Sequence, residues 1–395
     1  MKITKLELLR VPPSWVWLKV HTDEGITGLG EPYLENHADS VIAEVHRLEP
    51  LLIGQDPTRI EALWQILYDA GLGYKGGAVT MSAISGIDIA LWDIKGKAAG
   101  LPIHQLLGGA CRTSIRMYRA TGGEMPHFVQ PGQAYREGRT PAIRGADDVR
   151  VWAEAARVLV QEWGFRCLKV HFGPGDGLEI TSKVQRFAEQ FAAVREGAGA
   201  EVDVAVDIHN PHPTIALQMI EALAPYRPLF IEEPMPVESV GTLVDLAHRT
   251  SAPIAAGERW MGKWVFFEAL SKGGLAVLQP DICHAGGITE CRKIAALGEA
   301  AFAKVALHCP LSPLSLAASV QLDACIPNFL VQEHNEVNDW RDGSQTVIGK
   351  GYLREPFVMD DDGCVQVPQG PGLGVELDDV AFAEIMQRPW SNQRG

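Results

Sequence analysis

Seven cysteines (Cys111, Cys167, Cys283, Cys291, Cys309, Cys325 and Cys364) are scattered over 395 residues without a single CxxC pair. An odd count at such spacing excludes a disulfide framework and leaves reduced, mostly buried thiols. No apolar run reaches the length of a membrane span. The N-terminal stretch Met1-Lys-Ile-Thr-Lys-Leu-Glu-Leu-Leu-Arg10 interrupts its apolar residues with charges, which reads as an edge strand and not as a secretory leader. A cytoplasmic protein with no membrane partner is therefore expected. Basic residues are in deficit: 35 Lys and Arg stand against 49 Asp and Glu, a net charge of −14. With no Lys/Arg run to compensate, such a surface repels a phosphate backbone, so nucleic acid is not an expected partner. There is also no GxxxxGK[ST] loop and no GxSxG elbow, and the glycines of residues 25–30 lack the spacing and the following helix of a dinucleotide fingerprint.

What is present is a soluble, globular composition, 46% hydrophobic and 21% charged, in a chain long enough to divide into two domains. The first hundred residues mix strand-like alternation (3–11, 15–21) with helical stretches near 37–51, 58–70 and 79–99. The third helical stretch carries Met81, Ile84, Ile87, Ile89, Leu91, Trp92 and Ile94 around most of its circumference, which places it between layers. After Ser114 short apolar runs alternate with amphipathic segments. Eight candidate strands (115–119, 167–172, 202–208, 229–232, 253–258, 276–281, 304–308 and 329–333) give a βα repeat of TIM-barrel length. Residues 122–145 read as a long βα loop, and the Pro/Gly-rich tail from Gly349 as a segment that packs back on the N-terminal domain. The expected architecture is α/β: a modified TIM (β/α) barrel (115–348) with an N-terminal α+β capping domain (1–114) completed by the C-terminal segment (349–395).

In such a barrel, catalytic groups gather where the strands run out, because only there do all the loops converge. The expected strand ends offer Lys169 and His171, Asp207 and His209, Glu232 with Glu233, Glu258, Asp281, His308 and Glu333. One acidic residue after a strand is ordinarily a helix cap or a solvated loop residue. Caps are mostly Ser, Thr, Asn and Asp, however, and this series of Lys, His, Glu and Asp is not a capping series.

Asp207, Glu232 and Glu258 fall about one βα unit apart on successive strands. Converging carboxylates raise one another's pKa unless a cation lies among them, and an all-oxygen set suits Mg²⁺ better than zinc. The structural alternative pairs them with barrel cations, for which Lys169 and Arg259 are at hand. His209 follows Asp207 by two residues, so strand alternation turns both to one face and makes the histidine an acid beside the metal. Lys169 and His171 repeat that spacing, although a buried histidine or a surface lysine explains either alone equally well. Asp281 and His308 end adjacent strands, so the carboxylate can hold one ring nitrogen and leave the other as a base. Glu333 falls beside His308. It is either a salt-bridge partner or, with a raised pKa, a neutral donor to developing negative charge.

Five runs carry a wider likeness: Ser82-Ala-Ile-Ser-Gly-Ile-Asp-Ile-Ala-Leu-Trp-Asp-Ile-Lys-Gly-Lys97, Pro225-Tyr-Arg-Pro-Leu-Phe-Ile-Glu-Glu-Pro234, Ala255-Ala-Gly-Glu-Arg259, Gln279-Pro-Asp-Ile-Cys-His-Ala-Gly-Gly-Ile-Thr-Glu-Cys291 and His308-Cys-Pro-Leu. Through them the chain resembles the mandelate racemase subgroup of the enolase superfamily, over nearly its whole length. The resemblance implies Mg²⁺ on Asp207, Glu232 and Glu258, with Glu233 a neighbour and not a ligand. It implies the His308–Asp281 pair as base, His209 as the acid for a departing 3-hydroxyl, and Glu333 steadying the enolate. The implied substrate is a small-molecule carboxylate, a sugar acid, converted to a 2-keto-3-deoxy acid. Removing the proton next to a carboxylate adds a second negative charge to an anion, which is why such chemistry needs a cation.

Two departures leave the sugar open. Dehydratases of this kind carry Asp-Phe-His-Gly-Arg at the first ligand, where this chain has Asp207-Ile-His-Asn-Pro-His212, and an asparagine where this chain has His171. His171 keeps a second reaction in view, racemisation or epimerisation between His171 and His308. A non-catalytic sugar-acid binding protein is the alternative of another class, and it would predict lost ligands. Specificity is expected from cap loops near residues 12–17 and 72–77, with Trp15 and Tyr74 as substrate contacts or cap core. Barrels of this kind associate, so a homo-oligomer is expected.

Overall fold

The computed structural model describes residues 1–120, 149–171, 179–209 and 213–392. The expected loop at 122–145, Phe172 and the 210–212 part of the altered ligand motif lie outside the described residues.

The chain opens with an antiparallel meander, β1 (Ile3–Val11), β2 (Trp15–Thr22) and β3 (Thr27–Gly30). Three helices follow, α1 (Ala38–Leu48), α2 (Ile60–Asp69) and α3 (Ala78–Ala99), then a single turn, α4 (Ile103–Leu106). Every residue from 81 to 94 in α3 is buried, as its all-round apolar pattern predicts for a helix between layers. Its approach to the meander is close enough to require glycine: a Cβ on Gly30 would lie 1.9 Å from the Gly86 carbonyl oxygen.

Among the described residues the barrel follows as eight strands with seven α-helices between them: β4 (Ser114–Ala120), α5 (Val149–Gln161), β5 (Cys167–His171), α6 (Ile180–Ala198), β6 (Asp203–Asp207), α7 (Ala216–Leu223), β7 (Ile231–Glu232), α8 (Val240–Ala247), β8 (Ile254–Ala256), α9 (Lys263–Ser271), β9 (Val277–Leu278), α10 (Gly287–Ala300), β10 (Lys304–Val305), α11 (Pro313–Asp323) and β11 (Gln332–His334). Neighbouring strands pair in parallel from β10 through β4 to β11. A parallel bridge between Val305 and Phe329 closes the ring. A small antiparallel sheet, β12 (Asp339–Asp342), β13 (Gln345–Ile348) and β14 (Phe357–Val358), comes next, and β15 (Cys364–Gln366) pairs antiparallel with the first residues of β4, Ser114 to Arg116. The last helix, α12 (Asp379–Ile385), returns to the N-terminal meander. Phe382 stacks on Trp17 at 5.1 Å, and the Tyr352 hydroxyl donates to the Pro12 carbonyl at 2.9 Å. No described helix is long and apolar enough to cross a membrane.

Inside the barrel, one residue from each strand path forms a separate apolar layer: Tyr118, Cys167, Ala205, Phe230, Ala255, Val277, Ala306 and Val331. Large rings sit among alanines, the mixture that fills so narrow a bore. Because side chains alternate along a strand, the same inward face returns two residues later. Those positions are Ala120, Lys169, Asp207, Glu232, Gly257, Gln279, His308 and Glu333. The polar floor of the site is thus the next layer of the barrel interior.

Candidate active site

On seven of the eight strands the side chain of that layer is simply the next inward residue. On β8 it is Gly257, with φ of 137°, in a conformation that excludes a side chain, and a Cβ there would lie 2.5 Å from the Phe266 ring. The chain turns at this glycine, and Glu258 takes the inward place.

Asp207, Glu232 and Glu258 are buried, and each offers an oxygen within 4.8 Å of the other two. Glu232 is held at both oxygens, by Lys169 Nζ at 2.9 Å and by Gln279 Nε2 at 2.7 Å. Asp207 Oδ2 and Glu258 Oε2, in contrast, are buried without a hydrogen-bond partner. Histidines lean on them: His171 Nδ1 is 3.0 Å from Asp207 Oδ2 but off the hydrogen-bonding direction, and His308 Nε2 is 3.4 Å from Glu258 Oε2. Burial, together with Asp207 and Glu258, pushes the Glu232 carboxyl well up although Lys169 opposes them. Burial acts on Asp207 as well, but His171, His209 and Lys169 hold it far below the usual carboxylate range. Three buried carboxylates, one of them pressed to keep a proton and two with an unsatisfied oxygen, are a cradle for a hard divalent cation.

Asp281 and His308 sit side by side across a parallel bridge. His308 Nδ1 is 2.8 Å from Asp281 Oδ2, so the ring is held through Nδ1 and turns Nε2 to the cradle. Burial alone would lower the pKa of this ring, but Glu258 and the bond to Asp281 outweigh it and raise the pKa to about 10. His209 reaches the site by a different route from the expected one. β6 ends at Asp207 and His209 adopts a left-handed φ of 46°, so a turn and not strand alternation brings the two together. Its backbone N–H donates to Asp207 Oδ1 at 3.0 Å, and its Nε2 lies 3.3 Å from Glu258 Oε1. Glu258 therefore has His209 on one oxygen and His308 on the other.

Of the two readings of Glu333, salt-bridge partner or neutral donor, the contacts favour the first. Its Oε1 pairs with Lys169 Nζ at 2.7 Å and its Oε2 accepts from the Cys309 N–H at 3.1 Å. Burial would raise it, but Lys169 and His308 prevail and hold it near 2, ionised. Trp15 belongs to the cap interior: it is buried, edge-on to Tyr352 at 5.3 Å, and its carbonyl accepts from Trp390 Nε1. Of its two readings, substrate contact or cap core, this packing favours the second. Tyr74 is 94% exposed, on the loop between α2 and α3. Glu233 turns aside with φ of 44° and pairs with Arg259, consistent with a neighbour of the ligands. His171 stacks on His209 at 5.6 Å.

Three residues escaped the sequence reading. Gln279 is uncharged, and it sits in the inward register two residues after Val277. Tyr118 lies under Lys169, whose Nζ is 5.4 Å from the ring centroid. His284 stands behind Asp281, with Nε2 3.7 Å from Asp281 Oδ2.

Comparison with known proteins agrees with this arrangement. Residues 11–108 match the mandelate racemase/muconate lactonizing enzyme N-terminal domain, and residues 151–381 match the enolase C-terminal domain-like family. The D-galactonate dehydratase of Ralstonia pickettii is 42% identical over 388 residues, 97% of this chain and 94% of that one. The D-galactonate dehydratase of Klebsiella pneumoniae is 41% identical over 397 residues, 99% and 97% of the two chains. Among solved structures, an enolase from Agrobacterium radiobacter bound to sodium and L-malate superposes with a TM-score of 0.82 at 31% identity, covering 97% of this chain and 95% of that one. A member of the enolase superfamily from Salmonella Typhimurium gives 0.84 at 30% identity, covering 97% and 98%. Two matched domains, full-length relatives and the carboxylate cradle at the strand ends agree, and the chain belongs to the mandelate racemase/muconate lactonizing enzyme family of the enolase superfamily.

Proposed function

We propose that the protein is a Mg²⁺-dependent acid-sugar dehydratase that removes the C2 proton of an aldonate, D-galactonate first among them, and expels the 3-hydroxyl. The observation that supports this reading best is the placing of His209 and His308 on the two oxygens of one carboxylate, Glu258, so that an acid and a base flank a single cradle. The two full-length D-galactonate dehydratase relatives, at 41 and 42% identity, support the substrate. L-Malate on the Agrobacterium neighbour is itself a small carboxylate.

Asp207, Glu232 and Glu258 would hold the Mg²⁺. When bound, the ion supplies positive charge beside the substrate carboxylate and so eases loss of the adjacent proton. His308 Nε2 takes the proton from C2, and Asp281 stabilises the imidazolium that results. Loss of that proton leaves its electron pair delocalised into the carboxylate as an enediolate, and the pair then forms the C2–C3 double bond as the C3–O bond breaks. His209 gives its proton to the departing hydroxyl, which leaves as water, and the enol tautomerises to a 2-keto-3-deoxy acid. Lys169 stays charged: burial opposes this, but Glu232 and Glu333 hold its pKa well above the ordinary value. It thereby keeps both carboxylates in place. The same reading assigns residues 1–114 and 349–395 to the cap and 115–348 to the barrel, and expects a homo-oligomer.

The test is to incubate the protein and Mg²⁺ with aldonic and aldaric acids in D₂O, scoring 2-keto-3-deoxy product and deuterium at C2. Product from D-galactonate supports the reading, and product from another sugar acid alone corrects the substrate. Deuterium at C2 without dehydration points to His171 and His308 working as an epimerase. His308→Asn should abolish both signals, lowering turnover about a thousandfold or more. A fall of under tenfold, about 1.4 kcal/mol, would remove His308 as the base. His209→Asn should lose product yet still exchange the C2 hydrogen.

A further inference from the structure

The segment from Asp281 to Glu290 carries one partner of the base, and a single face of cap helix α3 grips it. Ser85 Oγ accepts from the Gly286 N–H at 2.9 Å, Asp88 Oδ2 from the Thr289 N–H at 3.0 Å, and Thr289 Oγ1 from Trp92 Nε1 at 2.8 Å. One turn earlier, Ser82 Oγ lies 3.1 Å from His284 Nδ1. Ser82, Ser85, Asp88 and Trp92 recur at helical spacing, so the grip is a property of one stripe of α3.

His284 is the member of this segment that reaches back toward the chemistry. It is buried, and its Nε2 makes no hydrogen bond of good geometry. It lies instead 3.2 Å from Glu35 Oε2, contributed by the cap just after β3, and 3.7 Å from Asp281 Oδ2. A nitrogen facing two carboxylates must carry a proton, since a lone pair there would be repelled from both sides. We propose that His284 is a positioning residue for the His308–Asp281 pair, and that Ser82 and Glu35 of the cap fix it in that role.

The geometry of Asp281 shows how. Its Oδ1 accepts from the Cys283 N–H at 2.7 Å, and its Oδ2 is shared between His308 Nδ1 at 2.8 Å and His284 Nε2. Two hydrogen bonds set the torsion of this carboxylate, and the His284 ring stands 3.7 Å from Oδ2 as an electrostatic restraint on its other side. Remove His284 and Asp281 Oδ2 keeps a partner on one side only, leaving it free to turn away from His308. The charged groups around His284 are Asp281 and Glu35, with His308 beyond Asp281. Burial and His308 favour the neutral ring, but the two carboxylates prevail and raise its pKa to about 9. Nε2 is thus the donor toward the two carboxylates, and Nδ1 shares a hydrogen bond with the Ser82 hydroxyl.

The kinetic arm of the test rests on the dehydratase reading; the spectroscopic arm does not. His284→Gln should lower kcat for D-galactonate about 10- to 100-fold while KM and the affinity for Mg²⁺ stay within about threefold. Glu35→Gln and Ser82→Ala should act in the same direction, more weakly. The double variant Glu35→Gln/His284→Gln should be no worse than His284→Gln alone, because both act through one group. In the full-length protein without substrate, proton NMR should show a downfield Nδ1–H of His308 bonded to Asp281, shifted or lost in His284→Gln. An unchanged resonance, a kcat within twofold of the parent, or a parallel fall of kcat, Mg²⁺ affinity and thermal midpoint would each overturn the proposal. If no sugar acid turns over, the function reading fails by itself and the resonance decides this one. If His284→Gln does not fold, Ser82→Ala and Glu35→Gln carry the same comparison.

Discussion

Glu232 differs from the other two cradle carboxylates in having both oxygens bonded within the protein, one to a cation and one to an amide. Gln279 is therefore more than filler. Its amide fixes where Glu232 points, as outer partners of metal ligands commonly do. Gln279→Leu, of similar shape but without the donor, should weaken Mg²⁺ binding about tenfold or more in a calorimetric titration while the protein remains folded. Unchanged affinity would mean that Lys169 alone suffices. The charged members of the site were legible because ionisable residues at successive strand ends are improbable as caps. Gln279 and His284 were not, since a neutral amide and a histidine beyond the strand end carry no signal until the register is known. The inward register recovers Gln279 afterwards, two residues past Val277. Glu333 was read with its charge open because only the position of Lys169 decides it.

At the scale of elements, β8 is where the period-two rule breaks. Expected over 253–258, the strand pairs only over Ile254–Ala256, and the chain then turns through Gly257 so that Glu258 replaces its neighbour in the inward layer. The eight strands and the helices between them were readable from alternating apolar runs, because burial on both faces leaves little freedom in composition. The turn was hidden, for a glycine after a strand has many explanations. Gly257→Ala would demand a left-handed backbone and a Cβ against Phe266. The expected cost is about 2 kcal/mol or more in urea unfolding, with weaker Mg²⁺ binding as Glu258 is displaced. A variant with parental stability and affinity would show that Glu258 does not depend on the turn.

At the scale of the whole molecule, cap and barrel meet through buried carboxyl groups. Glu31, at the end of β3, accepts from the Ser312 and Ser315 N–H groups at 3.3 and 3.1 Å and from the Ser312 hydroxyl, and Trp17 Nε1 donates to the same hydroxyl at 2.8 Å. Asp88 makes the corresponding link to the start of α10. Burial outweighs these donors and raises Glu31 from 4.5 to about 8 and Asp88 from 3.8 to about 7. Between those limits the folded protein keeps a proton that the unfolded chain has released. Stability therefore falls as pH rises, by at most about 1.4 kcal/mol per pH unit for each group, and levels off above the folded pKa. His284 and His308, raised to about 9 and 10, act in the same direction but only above their unfolded value of 6.5. The seam is thus separable from the site by subtraction. Urea unfolding of the metal-free protein should give a midpoint that drops from pH 5 to pH 8, and Glu31→Gln, which has no proton to lose, should flatten the part between pH 5 and 6.5, where neither histidine contributes. If parent and Glu31→Gln traced parallel curves through that interval, Glu31 would be ionised in the folded state and the three donors from the start of α11 would outweigh its burial.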